Sequence, residues 1–195
     1  MKESTGGEKK TQPHRVSGEQ TRKTLHQLEK LLAKTKAERL RAILTTDTVT
    51  ELLENTLGVN VAPLILYQGP PYVYPFEISK YFITKDVMQR DICIEVPCNE
   101  AGATRTVLFA RSWIAMGELD GEFRELLHQG KLTIGHIIRQ RRSTIAYKNL
   151  GYKEIRSAAL AASFKTLRSI HLIKRSRMIC QNNRPVILIH EYVPV

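Results

Sequence analysis

One strand-forming stretch decides the fold of this chain: Val87-Met88-Gln89-Arg90-Asp91-Ile92-Cys93-Ile94-Glu95-Val96. Side chains of a strand alternate between its two faces. Arg90 therefore shares a face with four apolar residues, which are Met88, Ile92, Ile94 and Val96. A charged side chain on an apolar face is costly to bury unless it has a partner.

A second charge stands in the same situation near the end of the chain. In the run Val186–Val193, Glu191 shares a face with Ile187, Ile189 and Val193. Two interpretations of these charges follow, and the sequence leaves both open. Arg90 and Glu191 either neutralise each other as a buried ion pair, or they line a pocket that receives a small polar ligand.

Length and composition indicate one domain with a tail. The chain has 195 residues, and 42% of them are hydrophobic, which is enough for a sizeable core. Residues 1–20 are polar and rich in Gly and Lys, so we expect a flexible tail ahead of a domain over residues 21–195. No apolar run is long enough to cross a membrane or to act as a signal peptide. Three cysteines without a CxxC pair predict reduced thiols in a cytoplasmic protein.

The net charge of +11 is concentrated in two segments. Residues 139–177 carry eleven Lys and Arg against one acidic residue, and residues 1–42 are also basic. Nucleic-acid binding is one interpretation of such asymmetry. A solvated basic surface, or a field that attracts an anionic substrate, is the interpretation we favour, because no nucleic-acid-binding motif accompanies the charge.

Helix signals occur at several points along the chain. Leucine and isoleucine recur at helical spacing over 25–44. The box Thr48-Val49-Thr50-Glu51 predicts a helix that ends at Gly58. Asp120 is placed to cap a helix ending at Gly130, and another helix is predicted to begin at Ile134. We also predict a helix over the alanine-rich run Ser157–Phe164.

Alternating apolar residues predict two pairs of strands. The predicted strands are Val87–Val96, Thr106–Ile114, Leu172–Cys180 and Val186–Val193, with turns at Cys98–Gly102 and Gln181–Pro185. Pro63–Pro75 is predicted to be a loop or a short strand. Helices followed by an antiparallel sheet that is interrupted by helices indicate an α+β fold, with helices flanking the sheet around a small-ligand pocket.

Motifs of common enzyme classes are missing from the sequence. It contains no Gly-rich phosphate loop, no nucleophile elbow and no HExxH. The six histidines show no metal-ligand spacing, so we expect neither a metal nor a cofactor.

Four stretches, in order, resemble the chorismate pyruvate-lyase (4-hydroxybenzoate synthase) family in its archaeal and cyanobacterial branch. They are Val87–Ile92, Phe109–Ile114, Leu132–Ile138 and the closing pair Lys174–Arg177 with Pro185–Pro194. Thr46–Thr50 is similar to the motif that opens the family's second helix. Thr133 departs from the family, which often has Pro at this position. The resemblance implies a single domain of the chorismate lyase-like fold.

The resemblance also implies roles for four residues. Arg90 would bind a substrate carboxylate, and Glu191 would contact the hydroxyl end of the ring, so these two would be the catalytic residues. Val49 and Ile134 match positions that line the family's pocket. Arg111 is a further basic candidate for substrate binding, because it shares a strand face with Phe109 and Trp113; the alternative is an arginine at the margin of the sheet.

The expected activity is a cofactor-free lyase that converts chorismate to 4-hydroxybenzoate and pyruvate. A guanidinium offers a planar, bidentate fork to a carboxylate, and loss of pyruvate makes the ring aromatic. The main rival is a non-catalytic effector-binding domain, since the effector domains of some bacterial repressors resemble this fold. We expect a chorismate-binding monomer or small homo-oligomer that does not associate with membranes, and we disfavour a nucleic-acid partner.

Overall fold

The computed structural model describes residues 36–97, 103–141, 145–166 and 169–194, and isolated positions between 19 and 34. The predicted tail over residues 1–20 (apart from Glu19), the leucines at 25, 28, 31 and 32, and the predicted turn at residues 98–102 lie outside these ranges.

A six-stranded sheet forms the centre of the molecule, and every neighbouring pair in it is antiparallel. The strands are β1 (Pro63–Gly69), β2 (Val87–Pro97), β3 (Thr104–Ala115), β4 (Ile145–Ser157), β5 (Ile170–Gln181) and β6 (Arg184–Pro194). Their order across the sheet is β1-β2-β3-β6-β5-β4. The four predicted strands are confirmed as β2, β3, β5 and β6, and so is the α+β class.

Helices pack on both faces of this sheet. Those between residues 36 and 141 are α1 (Lys36–Thr45), α2 (Val49–Leu57), α3 (Phe76–Tyr81), α4 (Gly121–Gln129) and α5 (Ile134–Arg141). The predicted caps of α2 and α4 are confirmed. The Thr48 side chain accepts a hydrogen bond from the Glu51 amide at 3.1 Å, and Asp120 accepts one from the Phe123 amide at 2.9 Å.

The prediction of a helix over Ser157–Phe164 is wrong. Strand β4 continues to Ser157, and only Ala162–Phe164 forms a short 3₁₀ turn. β4 is an edge strand of the sheet, so most of its residues are exposed and lack the apolar alternation of a half-buried strand. The run Pro63–Pro75 is resolved as strand β1 followed by a connection to α3.

The two faces of the sheet carry different side chains and different covers. We call the face with Arg90 and Glu191 the cavity face; helices α2, α4 and α5 pack against it. We call the face with Trp113 and His190 the opposite face; it is covered by α3 and by the 3₁₀ turn around Phe164. Because both faces are buried, β2 is buried at nearly every position rather than at every second one.

The turn between β5 and β6 generates a test of the hairpin. Asn182 and Asn183 both have positive φ, 51° and 63°, which is the left-handed conformation of a two-residue hairpin turn. Replacing Asn183 with Gly should keep or raise the melting temperature. Asn183→Val should lower the stability by about 1–2 kcal/mol, because a β-branched residue is strained in this conformation. Gln181→Val, in the adjoining strand, is the matched control and should have little effect; equal losses for Val at 181 and 183 would contradict the turn.

The buried His190 on the opposite face should make the stability of the protein depend on pH. Its ring centroid lies 4.9 Å from that of Trp113 and 6.5 Å from that of Tyr192. Burial, followed by the positive charges of Lys174, Arg111 and Lys153, lowers the pKa of His190 to about 3. The unfolded chain takes up this proton near pH 6.5, whereas the folded protein does not, so stability falls as the pH falls from 6.5 towards 3.

Calorimetric unfolding between pH 7.5 and pH 5 should show this loss, which amounts to about 2 kcal/mol for one such histidine. His190→Phe should flatten the pH dependence, because the unfolded chain then has no proton to gain at this position. His171→Phe, at an exposed position of β5, should leave the pH dependence as in the wild type. An unchanged slope in His190→Phe would show that His190 does not carry the effect.

Candidate functional site

A narrow cavity lies between the cavity face and the first residues of α2 and α5. Its free volume is about 30 Å³, room for about two water molecules. Strands β2, β3, β5 and β6 form its floor, and the segments 47–50 and 133–138 form its roof. The residues that line it are Asp47, Thr48, Thr50, Arg90, Ile92, Leu108, Ala110, Ser112, Thr133, Ile134, Gly135, Ile138, Tyr147, Arg177, Ile179, Ile189 and Glu191.

Arg90 lies at the floor of this cavity, and two of its hydrogen-bond donors have no partner. Its side chain is almost completely buried, with 1% of the residue exposed. Nη2 donates a hydrogen bond to the Leu132 carbonyl at 2.9 Å, whereas Nε and Nη1 have no hydrogen-bond partner. Burial lowers the pKa of Arg90 to about 10, so the group is still charged at neutral pH. A buried charge with two open donors is poised for an anionic acceptor.

Glu191 is paired with Arg175, so the structure contradicts the interpretation of a direct Arg90–Glu191 ion pair. In the register of the sheet, Arg175 on β5 stands directly opposite Glu191 on β6. Arg175 Nε donates to Glu191 Oε2 at 2.7 Å, and Nη2 lies 2.5 Å from the same oxygen. The third nitrogen, Nη1, donates to the carbonyls of Ile43 and Thr46 at the end of α1. Glu191 Oε1 takes no part in this pair.

Arg177 is a further cationic residue of the cavity that the sequence reasoning did not single out. Nη1 donates to the Asp47 carbonyl, and Nε is buried without a hydrogen-bond partner. Burial and the neighbouring Arg175 lower the pKa of Arg177. The Tyr147 ring lies 5.5 Å from its guanidinium carbon. The sequence did carry a signal, because Arg175 and Arg177 alternate on the same strand face as Ile173 and Ile179.

Two helices begin at the roof of the cavity. Thr48 and Thr50 belong to the first turn of α2, and Thr133, Ile134 and Gly135 to the start of α5. A Cβ on Gly135 would lie 3.2 Å from the Thr48 methyl carbon, so glycine is what permits this close approach. Amide groups of a helix N-terminus favour negative charge. The roof therefore adds to the positive potential of the arginines below it.

The structure brings Arg90, Ile134 and Glu191 together at this cavity, but not Val49 or Arg111. Val49 points into an apolar cluster with Leu53 and Leu57 and is 1% exposed; its neighbours Thr48 and Thr50 line the cavity instead. Arg111 lies on the opposite face, where its guanidinium donates to both Asp91 carboxylate oxygens at 2.7–3.1 Å. A placement of Val49 or Arg111 in the same pocket as Arg90 is therefore wrong.

Two features are missing from the described residues. No group of three or more His, Cys, Asp or Glu side chains is arranged to hold a metal ion in that part of the chain. Within the same residues, no helix has the length and apolar character needed to span a bilayer.

Comparison with known proteins identifies the fold. No protein-family model and no curated protein matches the sequence. Among solved structures, the chain is similar to PhnF from Mycobacterium smegmatis, with a TM-score of 0.56 and 10% identity over 77% of this chain and 65% of PhnF. The chain thus spans just under two thirds of full-length PhnF.

The match falls on one part of PhnF. The effector domain of PhnF alone gives a TM-score of 0.54 and 10% identity, with 75% of this chain and 88% of that domain covered. The ligand-binding domain of a putative GntR-family regulator from Bordetella bronchiseptica is similar at a TM-score of 0.46 and 13% identity, over 68% of this chain and 84% of that one. At this level of identity, the PhnF likeness shows that the chain has the fold of an effector domain.

The two buried arginines generate a test of the site geometry. Arg175→Met should cost about 3–5 kcal/mol, because it leaves Glu191 as a buried, unpaired charge. Arg90→Met should leave the stability unchanged or raise it, because it removes a buried charge whose Nε and Nη1 have no partner. Urea unfolding compares the free energies of unfolding of the two variants, which carry the same substitution on the same sheet face. An equal loss of stability in both would show that Arg90 is a structural residue.

Proposed function

We propose that this chain is a small-ligand-binding domain whose cavity takes an organic anion, with Arg90 as the anchor for a carboxylate or a similar oxyanion. The observation that carries the proposal is the pair of buried Arg90 donors, Nε and Nη1, that no protein group satisfies. These two nitrogens point to different edges of the planar guanidinium, so an oxyanion can accept from Nη1 together with the second Nη2 hydrogen on one edge, or from Nε on another. The effector-domain fold supports a binding role.

The rest of the cavity suits an anion with an apolar body. Ile92, Leu108 and Ile189 supply apolar walls next to Arg90. The positive charges of Arg90 and Arg177, together with the helix starts, exceed the negative charge of Asp47, because Glu191 is already neutralised by Arg175. A ligand larger than two water molecules requires the roof to move, so we propose that segment 47–50 shifts when the ligand enters.

Affinity measurements test the anchor. Isothermal titration with 4-hydroxybenzoate, the aromatic acid of the resembling family, should show binding, and Arg90→Lys should weaken it about 10- to 100-fold. This range corresponds to about 1–3 kcal/mol for lost hydrogen bonds to a charged group. Arg111→Lys is the matched control, since it makes the same change on the opposite face, and it should leave the affinity unchanged. Equal weakening by both variants, or none by Arg90→Lys, would contradict the proposal.

A lyase acting on chorismate is the second candidate. The observation that favours it is the convergence of Arg90, Ile134 and Glu191, which the family resemblance assigns to the substrate pocket, on one cavity. Glu191 Oε1 is left to accept a hydrogen bond from the ring hydroxyl. In the reaction, the bond between the ring and the enolpyruvyl oxygen breaks, the ring carbon that bears the hydroxyl loses its proton, and the ring becomes aromatic. The enolpyruvate released takes up one proton on its methylene carbon and becomes pyruvate, so no proton is gained or lost overall. The site would act by positioning and by charge.

Incubation with chorismate separates the two candidates. Formation of equal amounts of pyruvate and 4-hydroxybenzoate, undiminished by a strong chelator and lost in Glu191→Gln, would establish the lyase. Glutamine keeps the shape of the side chain and an acceptor oxygen for Arg175, so we expect Glu191→Gln to fold, with a lower stability because the buried Arg175 charge loses its counter-charge. Binding of 4-hydroxybenzoate without turnover of chorismate is the outcome that the binding-domain proposal predicts.

A further inference from the structure

An exposed apolar surface lies at the β1 end of the molecule, away from the cavity. Seven of the eight large hydrophobic side chains that are exposed among the described residues fall between positions 64 and 83. They are Leu64, Leu66, Tyr72, Val73, Tyr74, Phe76 and Ile83, and we call them the β1 patch. Phe76 is 78% exposed and Ile83 is 84% exposed, which is unusual for side chains of this size.

Two observations connect parts of the β1 patch. The rings of Tyr67 on β1 and Tyr72 pack edge to face with centroids 5.0 Å apart. Tyr74 and Ile83 line one groove next to α3, and Phe76 is the first residue of that helix. The seven side chains thus lie on consecutive segments: β1, the connection after it, α3 and the residues that follow α3. Side chains of this number and size, half to four-fifths exposed, offer an area on the order of the 800 Å² per partner of a standard interface.

Charge sets this surface apart from the rest of the chain. Residues 55–76 include no Asp, Glu, Lys, Arg or His, although a quarter of the whole sequence is Asp, Glu, Lys or Arg. Two copies of a chain with net charge +11 repel each other wherever their charged surfaces meet. Six of the seven patch residues lie in this charge-free run, whereas Ile83 lies between the exposed Lys80 and Lys85. The surface of β1 and the connection after it is therefore where two copies can approach with the least charge repulsion, and apolar contact is typical of homodimer interfaces.

The two edge strands of the sheet also differ in their content of charged residues. β4 at one edge carries Lys148, Lys153, Glu154 and Arg156, and charges on an edge strand prevent pairing with another chain. β1 at the other edge carries no charged residue, and no described strand pairs with its outer side. A bulge between Ile65 and Tyr67 restricts any pairing along β1 to a few residues. Side-chain packing would then supply most of the contact.

We infer that the β1 patch is the interface of a homodimer, in which a second copy of this chain packs against it about a twofold axis. Two β1 strands related by such an axis run antiparallel, so each can satisfy part of the other's free edge. A membrane surface is the other occupant that an aromatic and aliphatic patch suggests. The open edge of β1 argues against it, because lipid cannot satisfy the backbone groups of an unpaired strand.

Sedimentation equilibrium of the full chain at about 1–100 µM tests the interface. We expect a dimer in the wild type. Phe76→Lys/Ile83→Lys should raise the dimer dissociation constant at least about tenfold, because it places like charges across the axis. Tyr152→Lys, which changes the one exposed large hydrophobic residue on β4, is the control and should leave the dimer intact. Near-UV circular dichroism of each variant verifies folding, and Leu64→Lys, a single change on β1, provides a second test if the double variant does not fold.

Three results would overturn the inference. The first is a wild type that is monomeric throughout this range. The second is a dimer that Tyr152→Lys disrupts and the patch variants do not. The third is a monomer that sediments with vesicles of phosphatidylcholine and phosphatidylserine and loses this binding in Phe76→Lys/Ile83→Lys, which would assign the patch to a membrane.

Discussion

The ion pair between Arg175 and Glu191 is the interaction on which the cavity depends. Arg175 is completely buried, and it joins three parts of the molecule: Glu191 on β6, the strand β5 that carries it, and the carbonyls of Ile43 and Thr46 at the end of α1. It therefore holds the end of α1, just before the roof segment 47–50, above the sheet. It also neutralises Glu191, so the unsatisfied charge in the cavity is that of the neighbouring arginines.

That division of roles explains how charged side chains can occupy an apolar sheet face. Arg175 has its acceptors within the protein, and so it stabilises the fold. Arg90, on β2, has a single hydrogen-bond acceptor within the protein, the Leu132 carbonyl. A buried group without a partner calls for an explanation, and completion by a ligand, an ion or a water is one. The two arginines thus differ in their hydrogen-bond partners, and this difference is why we propose Arg90, rather than Arg175, as the anchor for a ligand.

The sequence predicted the central elements because their signals are local. Alternation identified β2, β3, β5 and β6, and side-chain caps identified the starts of α2 and α4. The same alternation found Arg90 and Glu191 as charges on apolar faces. It could not find the partner of Glu191, because strand pairing decides that Arg175 stands opposite it. Val49 was placed in the pocket from a motif, but successive helix residues point about 100° apart, so its neighbours face the cavity. β4 was missed because an exposed edge strand has no apolar period.

The most direct measurement of the central claim is the NMR signal of the Arg90 Nε–H group during titration with anions. Benzoate and phosphate, added to protein labelled with ¹⁵N, report whether an acceptor reaches this buried donor. The account predicts a saturable shift of the Arg90 Nε–H resonance with at least one of them, while the Arg111 resonance on the opposite face stays in place. An Arg90 resonance that neither anion moves, or one that moves only together with Arg111, would contradict it.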